Sequence, residues 1–202
     1  MRIDMNQWIR MLNSAADLLL EDADALCKID SHIGDGDHGN AIARIAEIIQ
    51  ELTAATGDTA PAAFFKQLSQ EILQVQGAAG MLWGTMFSGM GEALEDADAG
   101  IADVFQGATA ALRKITNAKV GDKTMMDALY PAAEAMKKAP NDSQALCKGA
   151  EAAHQGAAYT SRYVACYGRA KNLSERSLGI KDAGACSIAL LVEGMNAGYN
   201  GK

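Results

Sequence analysis

An all-α fold, an eight-helix antiparallel up-and-down bundle or barrel, is what the sequence predicts, and three observations carry that prediction. The first is composition: of 202 residues, 39 are Ala, whereas aromatics make up 5% and prolines number 3. Ala is the best helix former, while sheet proteins lean on β-branched and aromatic residues with frequent turn prolines. The second is periodicity, because apolar residues step at threes and fours about eight times along the chain. The third is that most connections between these stripes are short, which makes successive helices antiparallel neighbours. With 49% hydrophobic residues there is ample material for one core, so a single helical domain over residues 1–202 is expected.

Taken in order, Met5, Trp8, Ile9, Leu12, Ala15, Ala16, Leu19, Ala23 and Leu26 draw one long stripe. Ile42, Ile45, Ile49 and Leu52 mark a second helix ending at Gly57. Thr59 and Pro61 supply a cap and first turn for a third, with Phe64, Leu68, Ile72 and Val75 on its stripe. Leu82, Met86, Met90 and Leu94 give the fourth, and Ile101, Val104, Phe105, Ala108, Leu112 and Ile115 the fifth. The sixth carries Met126, Leu129, Ala133 and Met136 and is closed by Pro140. Asn141 or Asp142 opens a long Ala-rich seventh through Tyr167, and the last begins near Asp182 with Ile188, Leu191 and Met195. Two longer loops bear glycines, Lys28–Asp37 and Gly168–Lys181.

Charge and cysteine usage narrow the function classes. Lys and Arg total 18 against 25 Asp and Glu, a formal net charge of −7. A nucleic-acid or anionic-membrane binder would present a basic face, so neither partner is expected. Cys27, Cys147, Cys166 and Cys186 lie far apart with no C-x-x-C pair, which suits neither a disulfide framework nor a thiolate zinc site. The segment Met1–Leu12 carries charges and lacks an apolar signal core, and no stretch approaches the roughly 18 apolar residues of a membrane span. A reducing, cytoplasmic setting is the expectation.

The chemistry concentrates in Ile29–Asn40, IDSHIGDGDHGN. Asp30, Asp35 and Asp37 crowd between two helices, and Gly34, Gly36 and Gly39 let the backbone curl so that the carboxylates converge. Converging carboxylates repel unless a cation neutralises them, and oxygen-only ligands suit a hard ion, Mg²⁺ before Zn²⁺. Mg²⁺ typically completes its octahedron with water and substrate phosphates, so three carboxylates suit one or two ions beside a polyphosphate. The competing reading is a solvated Asp/Gly turn. The literal match to G-x-G-x-x-G follows a helix instead of a strand and places acids where a pyrophosphate would lie. An EF-hand loop fails on its glycine position, and no P-loop occurs.

Three further turns fit a phosphate or adenine cradle. Gln76-Gly77-Ala78-Ala79-Gly80 precedes a helix whose N-terminal amides can meet an anion. Gly121-Asp122-Lys123-Thr124-Met125-Met126 opens another. The segment from Gly168-Arg169-Ala170 through Ser174-Glu175-Arg176-Ser177 to Asp182-Ala183-Gly184 combines cations, hydroxyls and a helix start, and Arg is the usual bidentate partner of phosphate.

The ordered set I-G-D-G-D-H-G, G-A-x-G-x-L-x-G, G-D-K-T-M and G-R-A…E-R-S-x-G…D-x-G-A resembles the nucleotide-binding subunits of dihydroxyacetone kinases over essentially the whole chain. The resemblance implies an eight-helix antiparallel barrel in which Asp30, Asp35 and Asp37 bind two Mg²⁺ ions that hold the nucleotide phosphates. It places nucleotide contacts on His38, Gly39 and Asn40, on Ala78, Ala79 and Gly80, on Gly121, Thr124 and Met126, on Arg169, and on Asp182, Ala183 and Gly184. It implies a phosphotransferase with bound ADP/ATP and no covalent nucleophile of its own, active only with a substrate-binding kinase subunit. A free-standing chain of this length resembles the phosphotransferase-system branch, where a phosphocarrier subunit recharges the ADP; a homodimer is a further arrangement compatible with it. Low aromatic content places adenine on aliphatic and glycine surfaces. The chain departs from the family pattern at Ala79, commonly Ser, at Ile180–Gly184, where the family has H-Q-D-P-G, and at Ala170–Ser174. Those departures bear on the ketose and on the partner-facing rim. A non-catalytic regulatory or adaptor homologue is the alternative reading, and a fatty-acid kinase nucleotide domain, which carries a similar first loop, is a third.

Overall fold

The computed structural model describes residues 3–201, which contain nine α-helices and no strand. They are α1 (Met5–Glu21), α2 (Ala23–Ser31), α3 (His38–Ala55), α4 (Pro61–Ile72), α5 (Ala78–Ala93), α6 (Ile101–Ile115), α7 (Met126–Lys137), α8 (Asp142–Tyr159) and α9 (Ala183–Asn200). Two 3₁₀ segments, Thr160–Arg162 and Arg169–Ser177, lie between α8 and α9. Local chemistry sets several starts: the Asp4 carboxylate accepts from Gln7 N at 2.7 Å, and Asn141 accepts from Gln144 N at 2.9 Å. Pro61 occupies the first turn of α4, where its missing N–H costs nothing.

Eight of the helices close into a ring. α1 packs on α3, α3 touches α4, each helix from α4 to α9 packs on its successor, and α9 returns to α1. Side-chain pairings across the seams run in opposite senses: Asn13 meets Thr53 while Asp17 meets Gln50, and His154 meets Glu193 while Ser143 meets Asn200. On the closing seam, the Gln7 amide donates to the carbonyls of Gly198 and Tyr199 at 3.4 and 3.1 Å. The eight-helix antiparallel expectation therefore stands, with the short α2 as a ninth element packed on α3 and α9. One continuous apolar cluster fills the ring. Through it Trp8 meets Phe65 edge-on at 5.0 Å, Phe65 meets Phe87 at 5.9 Å, and Phe87 meets Trp83 at 6.3 Å.

Boundaries differ from expectation in three places. The first stripe is two helices, because the chain leaves helical geometry at Asp22 (φ −93°, ψ 5°), and α2 then carries helix through Ser31 into what the sequence suggested was loop. The Ala-rich helix ends at Tyr159, not Tyr167, because the Thr160 carbonyl is taken by the Tyr163 N–H and the Lys123 ammonium and cannot extend the α ladder. The loop Gly168–Lys181 contains a kinked 3₁₀ segment with Ser174 at φ 50°.

Up-and-down closure has one consequence that positions the site. Helices α3, α5, α7 and α9 all start at the same end of the ring. Four helix N-termini, each the positive end of a helix dipole, thus face one region of space.

Candidate functional site

At that end lies a cleft of about 980 Å³, lined by residues from the loop before α3, the turns before α5, α7 and α9, and Arg169. Much of the lining is apolar, with Ile33, Val75, Met81, Leu82, Trp83 and Ile115 among it.

One wall is acidic. Asp30, in the last turn of α2, and Asp35 and Asp37 in the following loop each present a carboxylate oxygen within 4.8 Å of the others. The loop is wound around Asp30, whose Oδ2 accepts from Gly36 N at 2.8 Å and from Asp37 N at 3.2 Å, while its carbonyl takes the Ile33 and Gly34 N–H groups. Burial, with Asp35 and Asp30 alongside, pushes the Asp37 carboxyl above its ordinary value. The cation at this cluster is Arg169, which forms an ion pair with Asp35. Three converging carboxylates with oxygen ligands only and one exposed counter-charge fit a hard divalent ion.

Next to the acids, burial lowers the His38 imidazole below its ordinary value, opposed by Asp30. His38 Nε2 lies 3.0 Å from Ser187 Oγ, whose hydroxyl donates to Gly184 O. That assigns the ring proton to Nε2 and leaves Nδ1 as an acceptor.

Another part of the wall is a clamped turn. Asp127, fully buried, accepts from Gly121 N at 2.6 Å and Thr124 N at 2.7 Å, and burial still pushes its carboxyl up. Lys123 lies above it with its ammonium donating to Thr160 O at 2.7 Å and to Ile180 O. Asp182 caps α9 by accepting from Ala185 N at 2.7 Å, and its own N–H donates to Thr160 Oγ1 at 2.8 Å. Burial of its carboxyl pushes the pKa up to about 7 despite that cap and the nearby Lys123.

Twelve of the sixteen residues singled out in the sequence line the cleft: Asp30, Asp35, Asp37, His38, Asn40, Ala78, Ala79, Thr124, Arg169, Asp182, Ala183 and Gly184. Gly39, Gly80, Gly121 and Met126 do not. Gly39 and Gly80 are buried behind it, where a Cβ would collide with the carbonyls of Ala23 and Val75, so these glycines set how closely the chain folds under the wall. Gly121 gives its N–H to Asp127, and Met126 is 1% exposed in the core. Lys123 and Met125, within the Gly121–Met126 turn that the sequence singles out, also line the cleft, whereas Trp83 and Tyr167 are lining residues that sequence reasoning passed over. Trp83 and Tyr167 qualify the expectation of a purely aliphatic wall.

Comparison with known proteins fits this geometry. The DAK2 domain profile matches residues 32–197. The chain is 32% identical over 200 residues to the L-erythrulose kinase of Pectobacterium atrosepticum, covering 94% of this chain and 34% of that protein. It thus spans about a third of the length of that relative. It is 34% identical over 203 residues to the ADP-binding subunit DhaL of PEP-dependent dihydroxyacetone kinase 1 of Listeria innocua, covering 96% and 97% of the two chains. The crystal structure of the dihydroxyacetone kinase from C. freundii in complex with AMP-PNP and Mg²⁺ superposes with a TM-score of 0.77 at 25% identity, over 96% of this chain and 33% of that one. An eight-helix ring, an acid-lined loop before α3 and a profile match over most of the length come to one conclusion: the chain belongs to the DAK2 domain family.

Proposed function

We propose that this chain is the nucleotide-binding component of a kinase for dihydroxyacetone or a related short ketose, with the cleft at the helix N-termini holding Mg²⁺ and ADP/ATP. The observation that carries the reading is the meeting of three converging carboxylates and four helix N-termini around one cleft. A carboxylate cluster alone repels a polyphosphate, and helix N-termini alone do not need acids; together they suit a metal-bridged phosphate chain. Support comes from a relative matched nearly end to end, which is the ADP-binding subunit of a dihydroxyacetone kinase, and from a structural neighbour, a dihydroxyacetone kinase in complex with AMP-PNP and Mg²⁺.

In this reading Asp30, Asp35 and Asp37 hold the metal, which when bound neutralises phosphate charge and aligns the transferred group. Arg169 turns from Asp35 to phosphate oxygens as a bidentate donor. N–H groups at the starts of α5 and α9 receive remaining phosphate oxygens, and His38 Nδ1 offers one acceptor at the mouth. No nucleophile on this chain is required, since positioning and charge neutralisation suffice for phosphoryl transfer. The ketose is carried by a separate substrate-binding domain or subunit, and a phosphocarrier protein recharges the ADP.

Incubating the chain with ATP, Mg²⁺ and a dihydroxyacetone-loaded substrate subunit tests the assignment. Transfer of phosphate to the ketose is expected. Mg²⁺-dependent nucleotide binding with no transfer to any short ketose would instead favour a non-catalytic adaptor.

A further inference from the structure

Lys123 is conformationally anomalous. It sits at φ 62°, one of only two non-glycine residues at positive φ among the described residues, and it is 2% exposed although it carries a charge. A left-handed backbone and a buried ammonium are each costly for lysine and persist only where the surroundings require them. What the surroundings gain is a tie between three separate chain segments. The Lys123 ammonium donates to Thr160 O, just beyond α8, and to Ile180 O, just before α9, while its own backbone belongs to the turn before α7. Thr160 continues the tie, because its hydroxyl accepts from Asp182 N and donates to Ala157 O. Asp182 and Asp127 supply the negative charge around the ammonium. Thr124 and Asp182–Gly184, on opposite sides of this tie, both line the cleft.

We infer that Lys123 is a positioning residue for nucleotide binding: its ammonium fixes the spacing between the turn before α7 and the N-terminus of α9, and with it the width of the cleft wall between Thr124 and Gly184. This rests on the nucleotide-binding reading of the cleft. Lysine's length and its three donors suit the task, since one short polar side chain cannot reach carbonyls on two other segments at once. The acidic loop takes no part in the Lys123 hydrogen bonds; it meets the neighbouring segments through the His38–Ser187 contact and the Arg169–Asp35 ion pair instead.

The test is K123M, which keeps the stem and removes the donors, read by ADP titration at saturating Mg²⁺ and by amide hydrogen exchange. ADP affinity is expected to fall about 10- to 100-fold. Exchange is expected to quicken in residues 121–126 and 160–184 and to stay unchanged in 30–40 and in the helices of the ring. Unchanged ADP affinity would overturn the inference, and so would faster exchange throughout the ring in step with the loss, which is a merely structural role. Should K123M not fold, K123Q decides, because its shorter side chain keeps a donor but cannot reach the Thr160 and Ile180 carbonyls together. A similar loss of ADP affinity, with faster exchange confined to the same segments, supports the tie, and wild-type affinity in K123Q refutes it. Failure of the wild-type chain itself to bind Mg²⁺·ADP would sink the functional reading; wild-type binding with an unaffected K123M would sink this inference alone.

Discussion

Replacing Asp35 by Ala has opposite consequences with and without ligand, and that contrast separates a metal site from an ornamental turn. Without metal, the substitution removes one of three carboxylates that lie within 4.8 Å of one another, and it removes an ion pair whose Arg169 side chain is 70% exposed. Exposed pairs are worth at most about 1 kcal/mol, and relief of the Asp35–Asp37 repulsion offsets that loss. The metal-free melting temperature should therefore stay within about 3 °C of wild type. With Mg²⁺ and ADP at roughly 100 times the wild-type Kd, binding adds about 2.7 kcal/mol to the stability of the wild-type chain. For about 200 residues that is a rise of roughly 5–10 °C. Loss of a charged ligand costs about 2–5 kcal/mol of affinity, so the variant at the same concentrations should show almost no rise. Thermal unfolding followed by circular dichroism reads both numbers. A variant with the wild-type ligand-induced rise would refute the metal assignment. A variant that melts far below wild type without ligand would show that Asp35 is a structural turn residue instead.

Three further outcomes follow from the same geometry. The Asp182 carboxyl titrates near 7 in the folded chain against about 3.9 when unfolded, so the folded state holds its proton more tightly. The stability it contributes is full below pH 4 and lost as pH rises through 7, at most about 4 kcal/mol; melts at pH 5.5 and 8.0 should show wild type declining more than D182N, and equal declines would contradict the assignment. G39A drives a Cβ into the Ala23 carbonyl, so it should cost about 1–3 kcal/mol in urea unfolding and displace His38 and Asn40, weakening ADP binding as well. D127A strands the part-buried N–H groups of Gly121 and Thr124 and should destabilise by about 1–3 kcal/mol in all, whereas D127N, which keeps one acceptor, should lose about half as much.

Much of this was legible because the fold repeats one simple rule. Apolar stripes at helical spacing located the eight ring helices, and Ile101–Ile115 coincides with its stripe end to end. The motifs were individually short, yet each precedes an alternate helix, and up-and-down closure brings alternate N-termini together. Their order along the chain was therefore the real signal for the cleft. What could not be read depends on contacts distant in sequence. The break at Asp22 interrupts a stripe that is continuous in hydrophobicity, so no periodicity marks it. The end of α8 is decided by a lysine 37 positions earlier that claims the Thr160 carbonyl. Gly39 and Gly80 sit inside recognisable motifs, but only packing reveals that they fold under the cleft wall instead of lining it. Trp83 belongs to the core by burial and reaches the cleft because α5 begins there.

The central claim is that acids and helix N-termini share one ligand. Calorimetric titration of ADP, once with Mg²⁺ and once with a chelator in its place, tests this directly. The account predicts a single binding event with Mg²⁺ and a loss of affinity of at least about 100-fold without it, since the three carboxylates then face the phosphates uncompensated. Equal binding in both titrations, or none in either, would contradict it.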